Sequence, residues 1–125
     1  MGTWASDEMA RLGAAEQLRI STLRRDGAPR RALPVWVVRH GDDLSIRSAN
    51  GRDVAWFRGV RGRHEGHVGV ACMGRAVRFV ETRDAGDAID AAYRAKYRRY
   101  PGIVPRIVRP EARAATLNLV PRPTE

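Results

Sequence analysis

The strongest constraint on the fold is a series of short segments in which apolar and polar residues alternate. In the first, residues 18–22, Leu18, Ile20 and Thr22 alternate with Arg19 and Ser21. Similar short segments return at residues 44–48, 68–72, 76–80 and 116–120. Because a period of two directs one face of each strand toward a core, the pattern predicts a mainly antiparallel sheet.

A hairpin is expected directly after the first segment. Asp26-Gly27 supplies the residues with positive φ that a type I′ turn requires. The returning strand, residues 30–39, holds a continuous apolar stretch at 34–38, which is typical of a strand covered on both faces. Pro34 has no N–H for a strand ladder, so we expect it at a sheet edge or a bulge. A second hairpin is predicted to turn at Met73-Gly74.

Helices are expected between the strands. Ser6 is the predicted cap of the first, which runs to about residue 16, and Asp53 is the predicted cap of the second, which ends between residues 59 and 62. From Asp87 the apolar residues recur about every 3.6 positions until Pro101-Gly102 ends the pattern. The apolar side of this third helix, expected to pack in the core, carries three tyrosines: Tyr93, Tyr97 and Tyr100.

These elements predict an α+β, mainly β, fold. About six short antiparallel strands and two to three peripheral helices suit a small barrel or a strongly curved sheet. We expect residues 1–125 to form a single domain, with flexible ends at 1–5 and 121–125.

Composition limits the partners and the compartment. A formal charge of +9 invites a nucleic-acid interpretation, but only one of the 23 basic residues, Lys96, is lysine, and the arginines are scattered with few aromatic residues among them. The sequence therefore disfavours nucleic acid as a partner. It has no apolar run of about 18 residues and a single cysteine, Cys72, so we expect no membrane association and a cytoplasmic location.

Motifs for acid–base, nucleophilic or metal chemistry are scarce. His64 and His67 offer two imidazoles, but a zinc site needs about three or four ligands and only Cys72 is near in sequence, so no metal is expected. Cys72 follows Val68 and Val70 in an apolar strand pattern, which is typical of an inert thiol. Catalytic residues stay unassigned.

Two resemblances to known families are visible. Residues 20–27, 56–59 and 91–97 are similar to a family of small uncharacterised bacterial proteins, and this likeness covers nearly the whole chain. Residues 30–37 (RRALPVWV), 44–48 (LSIRS) and 51–52 (GR) resemble the flavin-nucleotide-binding split barrels over about residues 18–60. That group includes pyridoxamine-phosphate oxidases and deazaflavin-dependent reductases.

The likeness to the flavin group implies a split barrel that binds FMN or a deazaflavin, as a homodimer with the cofactor at the subunit interface. It also implies an oxidoreductase that transfers hydride to a small molecule. By this resemblance six residues contact the cofactor: Arg31 and Arg47 as phosphate or ring partners, Trp36 covering the ring, Ser48 as a hydroxyl donor, Gly51 for close backbone approach and Arg52 as a phosphate ligand. Free backbone N–H groups before a helix attract anions, so the residues independently permit such a site.

Other interpretations remain open. The arginines are equally suited to ordinary solvated surface, and Trp36 and Trp56 to packing in a core or an interface. In place of an enzyme, the chain is also compatible with a binding module that stores or senses a nucleotide-like ligand, or that binds nucleic acid.

Overall fold

The computed structural model describes residues 4–70, 73–82 and 85–122. Within them the chain forms five helices, α1 (Ser6–Ala14), α2 (Ala55–Gly62), α3 (Gly86–Lys96), α4 (Val104–Ile107) and α5 (Pro110–Arg113). The strands are β1 (Leu18–Thr22), β2 (Leu33–Val35), β3 (Val37–His40), β4 (Asp43–Arg47), β5 (Glu65–Val70), β6 (Met73–Glu81) and β7 (Thr116–Pro121).

All seven strands belong to one antiparallel sheet with the order β2-β1-β5-β6-β7-β4-β3. The strands β2 and β3 lie at opposite ends of this order, yet only Trp36 separates them in the chain. The chain therefore passes from one edge of the sheet to the other through a single residue, and the sheet nearly closes into a barrel. The predicted mainly β barrel is confirmed, with seven strands in place of about six.

Residues 30–39, predicted as one strand, are divided at Trp36. At that point side chains from α3 and its C-terminal end form hydrogen bonds with the backbone in place of a neighbouring strand. The Tyr93 hydroxyl donates to the Trp36 carbonyl at 2.8 Å. The Val37 N–H donates to the Tyr97 hydroxyl at 3.2 Å, and Lys96 Nζ donates to the Val37 carbonyl at 2.7 Å. Side chains of one helix thus stabilise the crossing between the two edges.

Several element boundaries differ from the sequence prediction. The first helix begins after Ala5 in place of a Ser6 cap, because the Glu8 side chain accepts the Ala5 N–H at 3.0 Å. The second begins after Val54, which is extended, and Asp53 does not cap it. α3 ends at Lys96, and Tyr100 is exposed beyond it, outside the predicted core stripe.

The second hairpin also differs. Met73 and Gly74 lie inside β6 and pair with Val70 and Gly69, so they do not form the turn. Residues 71–72, and with them Cys72, lie outside the described residues. Pro34 lies in β2, at an end of the strand order, as predicted.

Two apolar clusters support the fold. The larger fills the barrel and includes Leu18, Ile20, Leu44, Ile46, Phe57 and Phe79. The smaller lies where α3 and α4 cover β3 and consists of Val38, Ile89, Tyr93, Tyr97 and Ile107. Burial raises the pKa of Tyr97 to about 12 and raises that of Tyr93 as well, so both hydroxyls remain protonated hydrogen-bond donors.

Arg47, the last residue of β4, joins the barrel to the helices. It is only 2% exposed, and its guanidinium forms a buried ion pair with Asp90 of α3. It also donates to three oxygens: Thr116 Oγ1 at 3.0 Å, the Ile107 carbonyl at 3.0 Å and the Gly86 carbonyl at 3.2 Å. One side chain thus holds β4, β7, α3 and α4 together.

In the part of the chain that the structure describes, none of the helices has the length and apolar character needed to cross a membrane.

We expect Asp90→Asn to lower the free energy of unfolding by about 3 kcal/mol, because it leaves the buried Arg47 charge without its counter-ion. Glu81→Gln is the matched control. It breaks the ion pair between Arg52 and Glu81, whose side chains are 25% and 32% exposed, respectively. The free energy of unfolding should therefore fall by about 1 kcal/mol or less. Urea denaturation of both variants measures the difference, and equal stabilities would contradict the importance of the buried pair.

Two glycines offer a test of packing within the sheet. A Cβ on Gly66 would collide with the Ser21 carbonyl and lie 2.7 Å from Phe79 Cε2, whereas a Cβ on Gly74 would meet nothing closer than 3.8 Å. Gly66→Ala should therefore destabilise the protein by about 1–3 kcal/mol, and Gly74→Ala should be neutral or slightly stabilising. Thermal unfolding monitored by circular dichroism distinguishes them, and the reverse order would refute this packing.

Candidate functional site

A cavity of about 290 Å³ opens where β2 gives way to β3, beside the end of β4. Three of the six residues predicted to contact a cofactor line it: Trp36, Arg47 and Ser48. The other lining residues are Gln17, Pro34, Val35, Ala49, Asn50, Trp56 and Arg106. Pockets for small molecules measure about 300–1,000 Å³, so this cavity lies at the lower limit of that range.

Ser48 is the most informative residue of the cavity. It follows β4 directly, and its backbone is fixed by hydrogen bonds to the Ala115 carbonyl and from the Gly51 N–H, both at 3.1 Å. The residue is 2% exposed, and its Oγ has no hydrogen-bond partner among the described residues. Because an unpaired buried hydroxyl costs about 1–3 kcal/mol, Ser48 is a group that a bound ligand would satisfy.

Two arginines hold the loop that follows Ser48. Arg109 Nε and Nη2 donate to the Ala49 carbonyl at 3.2 and 2.7 Å. Arg106 Nη2 lies 3.5 Å from Asn50 Oδ1. Arg106 is exposed at the edge of the cavity and forms no ion pair within the described part of the chain. Its guanidinium is therefore well placed to meet an incoming anion.

Arg47 lines the same cavity, but its guanidinium already donates hydrogen bonds to groups of the protein. Its donors are used by Asp90, Thr116 and two backbone carbonyls, and its Cζ lies 5.6 Å from the centre of the Tyr93 ring. These contacts hold the cavity walls, because they join the end of β4 to the helix that carries Arg106. Its assignment as a phosphate or ring partner stays a prediction.

The remaining three predicted residues do not line this cavity. Arg31 is exposed in the connection between β1 and β2. Gly51 has φ 91°, a conformation that favours glycine, and is buried. Arg52 Nη1 donates to Glu81 Oε1 at 2.6 Å and to the Ala114 carbonyl at 2.8 Å. Their assigned contacts with a cofactor also stay predictions.

The tryptophans have two roles. Trp36 packs on the smaller apolar cluster and Trp56 on the larger, so both are partly buried, as the packing interpretation expected. Both also belong to the cavity lining. Sequence reasoning missed Gln17 and Arg106 as lining residues. Arg106 lies far from Ser48 in the chain, in a segment whose prolines interrupt any regular pattern, and no local signal marked it.

No group of three His, Cys, Asp or Glu residues that could hold a metal ion is found among residues 4–70, 73–82 and 85–122.

Several solved structures share this architecture. A protein described as an F420 reductase is 22% identical, with a TM-score of 0.54 and coverage of 94% of this chain and 93% of the other. An FAD-binding protein from Mesorhizobium loti is 14% identical, with a TM-score of 0.59 and coverage of 97% and 92%. HutZ, a heme storage protein from Vibrio cholerae, is 10% identical, with a TM-score of 0.57 and coverage of 96% and 90%. At these identities the likeness establishes the fold.

Sequence comparison identifies the family. No curated protein gives a significant sequence match. The model of a family described as an uncharacterized protein conserved in bacteria, DUF2255, matches residues 8–119. That range includes the strands β1 to β6, most of β7 and the whole cavity lining. The chain therefore belongs to the bacterial DUF2255 family and has a split-barrel fold.

Proposed function

We propose that this protein binds a flavin-type cofactor, FMN or a deazaflavin, at the cavity beside Ser48 and acts as an oxidoreductase on a small molecule. The observation that carries the proposal is the buried, unpartnered hydroxyl of Ser48, a residue that lines the cavity together with Trp36 and Trp56. The fold supports it, because structures with the same architecture include an F420 reductase and an FAD-binding protein.

The lining residues fit such a ligand chemically. Trp36 and Trp56 offer faces for a planar ring, Ser48 and Asn50 offer hydrogen-bonding groups, and Arg106 offers a cation for a phosphate. When bound, the cofactor supplies hydride chemistry, and the protein binds it, orients it and excludes water. Arginine is the only titratable residue type in the described lining, so these residues offer no general acid or base near neutral pH.

The cavity size favours a dimer. At about 290 Å³ it holds a ring but leaves the rest of a nucleotide outside. A second copy of the chain would cover the exposed part of the ligand, so we place the cofactor at a homodimer interface. We place the protein in the cytoplasm.

Heme is the other ligand suggested by a neighbour of the same fold. Heme iron in proteins is commonly held by His, Cys, Met or Tyr. The described lining of the cavity contains none of these residue types. A flavin-type ligand is therefore favoured, with storage or sensing of that ligand without turnover as the alternative. Steady-state assays with reduced cofactor separate an enzyme from such a binding module.

Ser48→Ala tests the central contact. In the ligand-free protein the variant should be as stable as the wild type or slightly more stable, because a buried unpaired hydroxyl is removed. Affinity for FMN should nevertheless fall about 3- to 10-fold. Flavin fluorescence titration and urea denaturation measure the two quantities. Absence of binding of both FMN and a deazaflavin to the wild-type protein would overturn the proposed function.

Arg106→Gln and Arg52→Gln separate two assignments of the phosphate ligand. We expect Arg106→Gln to weaken FMN binding about tenfold or more and riboflavin binding by much less, because riboflavin lacks the phosphate. Arg52 already has protein partners, so Arg52→Gln should change both affinities equally. If Arg52→Gln alone weakens FMN selectively, the phosphate ligand is Arg52, as the family resemblance implies.

A further inference from the structure

A second depression, of about 450 Å³, adjoins the cofactor cavity. It is lined by Gln17, Arg19, Pro34, Gly69 and Val70. Gln17 and Pro34 also line the cavity beside Ser48, so the two spaces meet at the edge formed by β2. A molecule in the depression would lie next to a ligand in the cavity.

The floor of the depression belongs to the outer face of the barrel. Arg19 pairs with Pro34 on one side and with Gly69 on the other, and Gly69 pairs in turn with Gly74. Leu18 and Ile20 are buried in the barrel, so this row faces outward. Apart from Arg19, the row consists of residues with short or rigid side chains, which makes the surface shallow and flat.

Glycine at position 74 is not required by packing inside the protein. A Cβ there would meet only the Val68 carbonyl, at 3.8 Å, which is an ordinary contact. Gly74 also lacks a positive φ, so its backbone conformation does not call for glycine. Because glycine weakens a strand, its presence in this row is consistent with close approach of another molecule.

Arg19 is the charged residue of this lining. It is exposed and has no ion pair or side-chain hydrogen bond within residues 4–70, 73–82 and 85–122. Around it are the apolar surfaces of Pro34 and Val70 and the amide of Gln17. One guanidinium beside a flat apolar floor matches a planar apolar group that carries one carboxylate, since a carboxylate accepts two parallel hydrogen bonds from arginine.

We propose that this depression is a binding site for an aromatic or conjugated carboxylate, with Arg19 holding the carboxylate, Pro34 and Gly69 contacting the ring, and Gly74 next to the lining as the cross-strand partner of Gly69. Its role as the substrate site rests on the proposed function, because it depends on a cofactor in the adjoining cavity. The volume favours a small molecule as the occupant, since it falls within the range of about 300–1,000 Å³ typical of such sites.

The test uses the full chain with 2-naphthoate as the probe and the uncharged 2-naphthalenemethanol as its isostere, at low ionic strength, by isothermal titration calorimetry. We expect the wild type to bind the carboxylate about tenfold more tightly than the alcohol. Arg19→Gln should remove this preference and leave the alcohol affinity unchanged. Arg94→Gln, an exposed arginine on α3, is the matched control and should change neither affinity.

Gly74→Val provides a steric test that does not alter charge. The substitution should weaken both probes at least fivefold while circular dichroism shows a folded protein. Failure of the wild type to prefer the carboxylate, or equal effects of Arg19→Gln and Arg94→Gln, would overturn the proposal. So would a Gly74→Val variant that changes from dimer to monomer in sedimentation, with naphthoate binding unchanged, since the row would then be a subunit interface.

Flavin titration of the same variants separates this proposal from the proposed function. Arg19→Gln should bind FMN like the wild type. If the wild type binds naphthoate in an Arg19-dependent way but no flavin or deazaflavin, the proposed function fails and the carboxylate site stands. If it binds flavin but shows no preference for naphthoate, the carboxylate site fails and the proposed function stands.

Discussion

The barrel depends on hydrogen-bond partners for the backbone where the chain crosses from β2 to β3. At this crossing Lys96 Nζ donates to three carbonyls, those of Gly13, Ala15 and Val37, at 2.9, 2.5 and 2.7 Å. A compact ammonium directs three donors from one nitrogen, whereas a planar guanidinium cannot. Burial lowers the pKa of Lys96 to about 8, so the amine is still mostly protonated at pH 7. This geometry explains why lysine suits position 96 in a chain whose other basic residues are arginines.

The same crossing produces the cavity. Trp36 leaves the sheet between its two edges, so its side chain and the end of β4 border a space that no strand fills. Arg47 fixes the size of that space, because its contacts with Asp90 and the Ile107 carbonyl hold α3 and α4 against β4. The cavity is therefore a consequence of barrel closure, and its walls are held by the buried ion pair.

The sequence predicts the elements that depend on local patterns and misses those decided by distant contacts. Residues 18–22 alternate and form a strand with these same bounds. The division at Trp36 has no local signal, since its hydrogen-bond partner in α3 is 57 residues away. The site follows the same rule: Trp36 and Ser48 lie in segments that the sequence predicts as strands, whereas Arg106 joins them only through the packing of α4.

Arginine content alone therefore says little about binding in this protein. Many of its guanidiniums hydrogen-bond carbonyls of the chain, as Arg52 does at Ala114 and Arg109 does at Ala49. Such groups compensate for the irregular backbone around α4 and α5 and leave fewer donors for a ligand. Arg19 and Arg106 differ because each lines a cavity while carrying no ion pair in the described chain. We therefore propose Arg19 and Arg106 as binding residues because of their position at a cavity without an ion pair, and not because of residue type or a sequence motif.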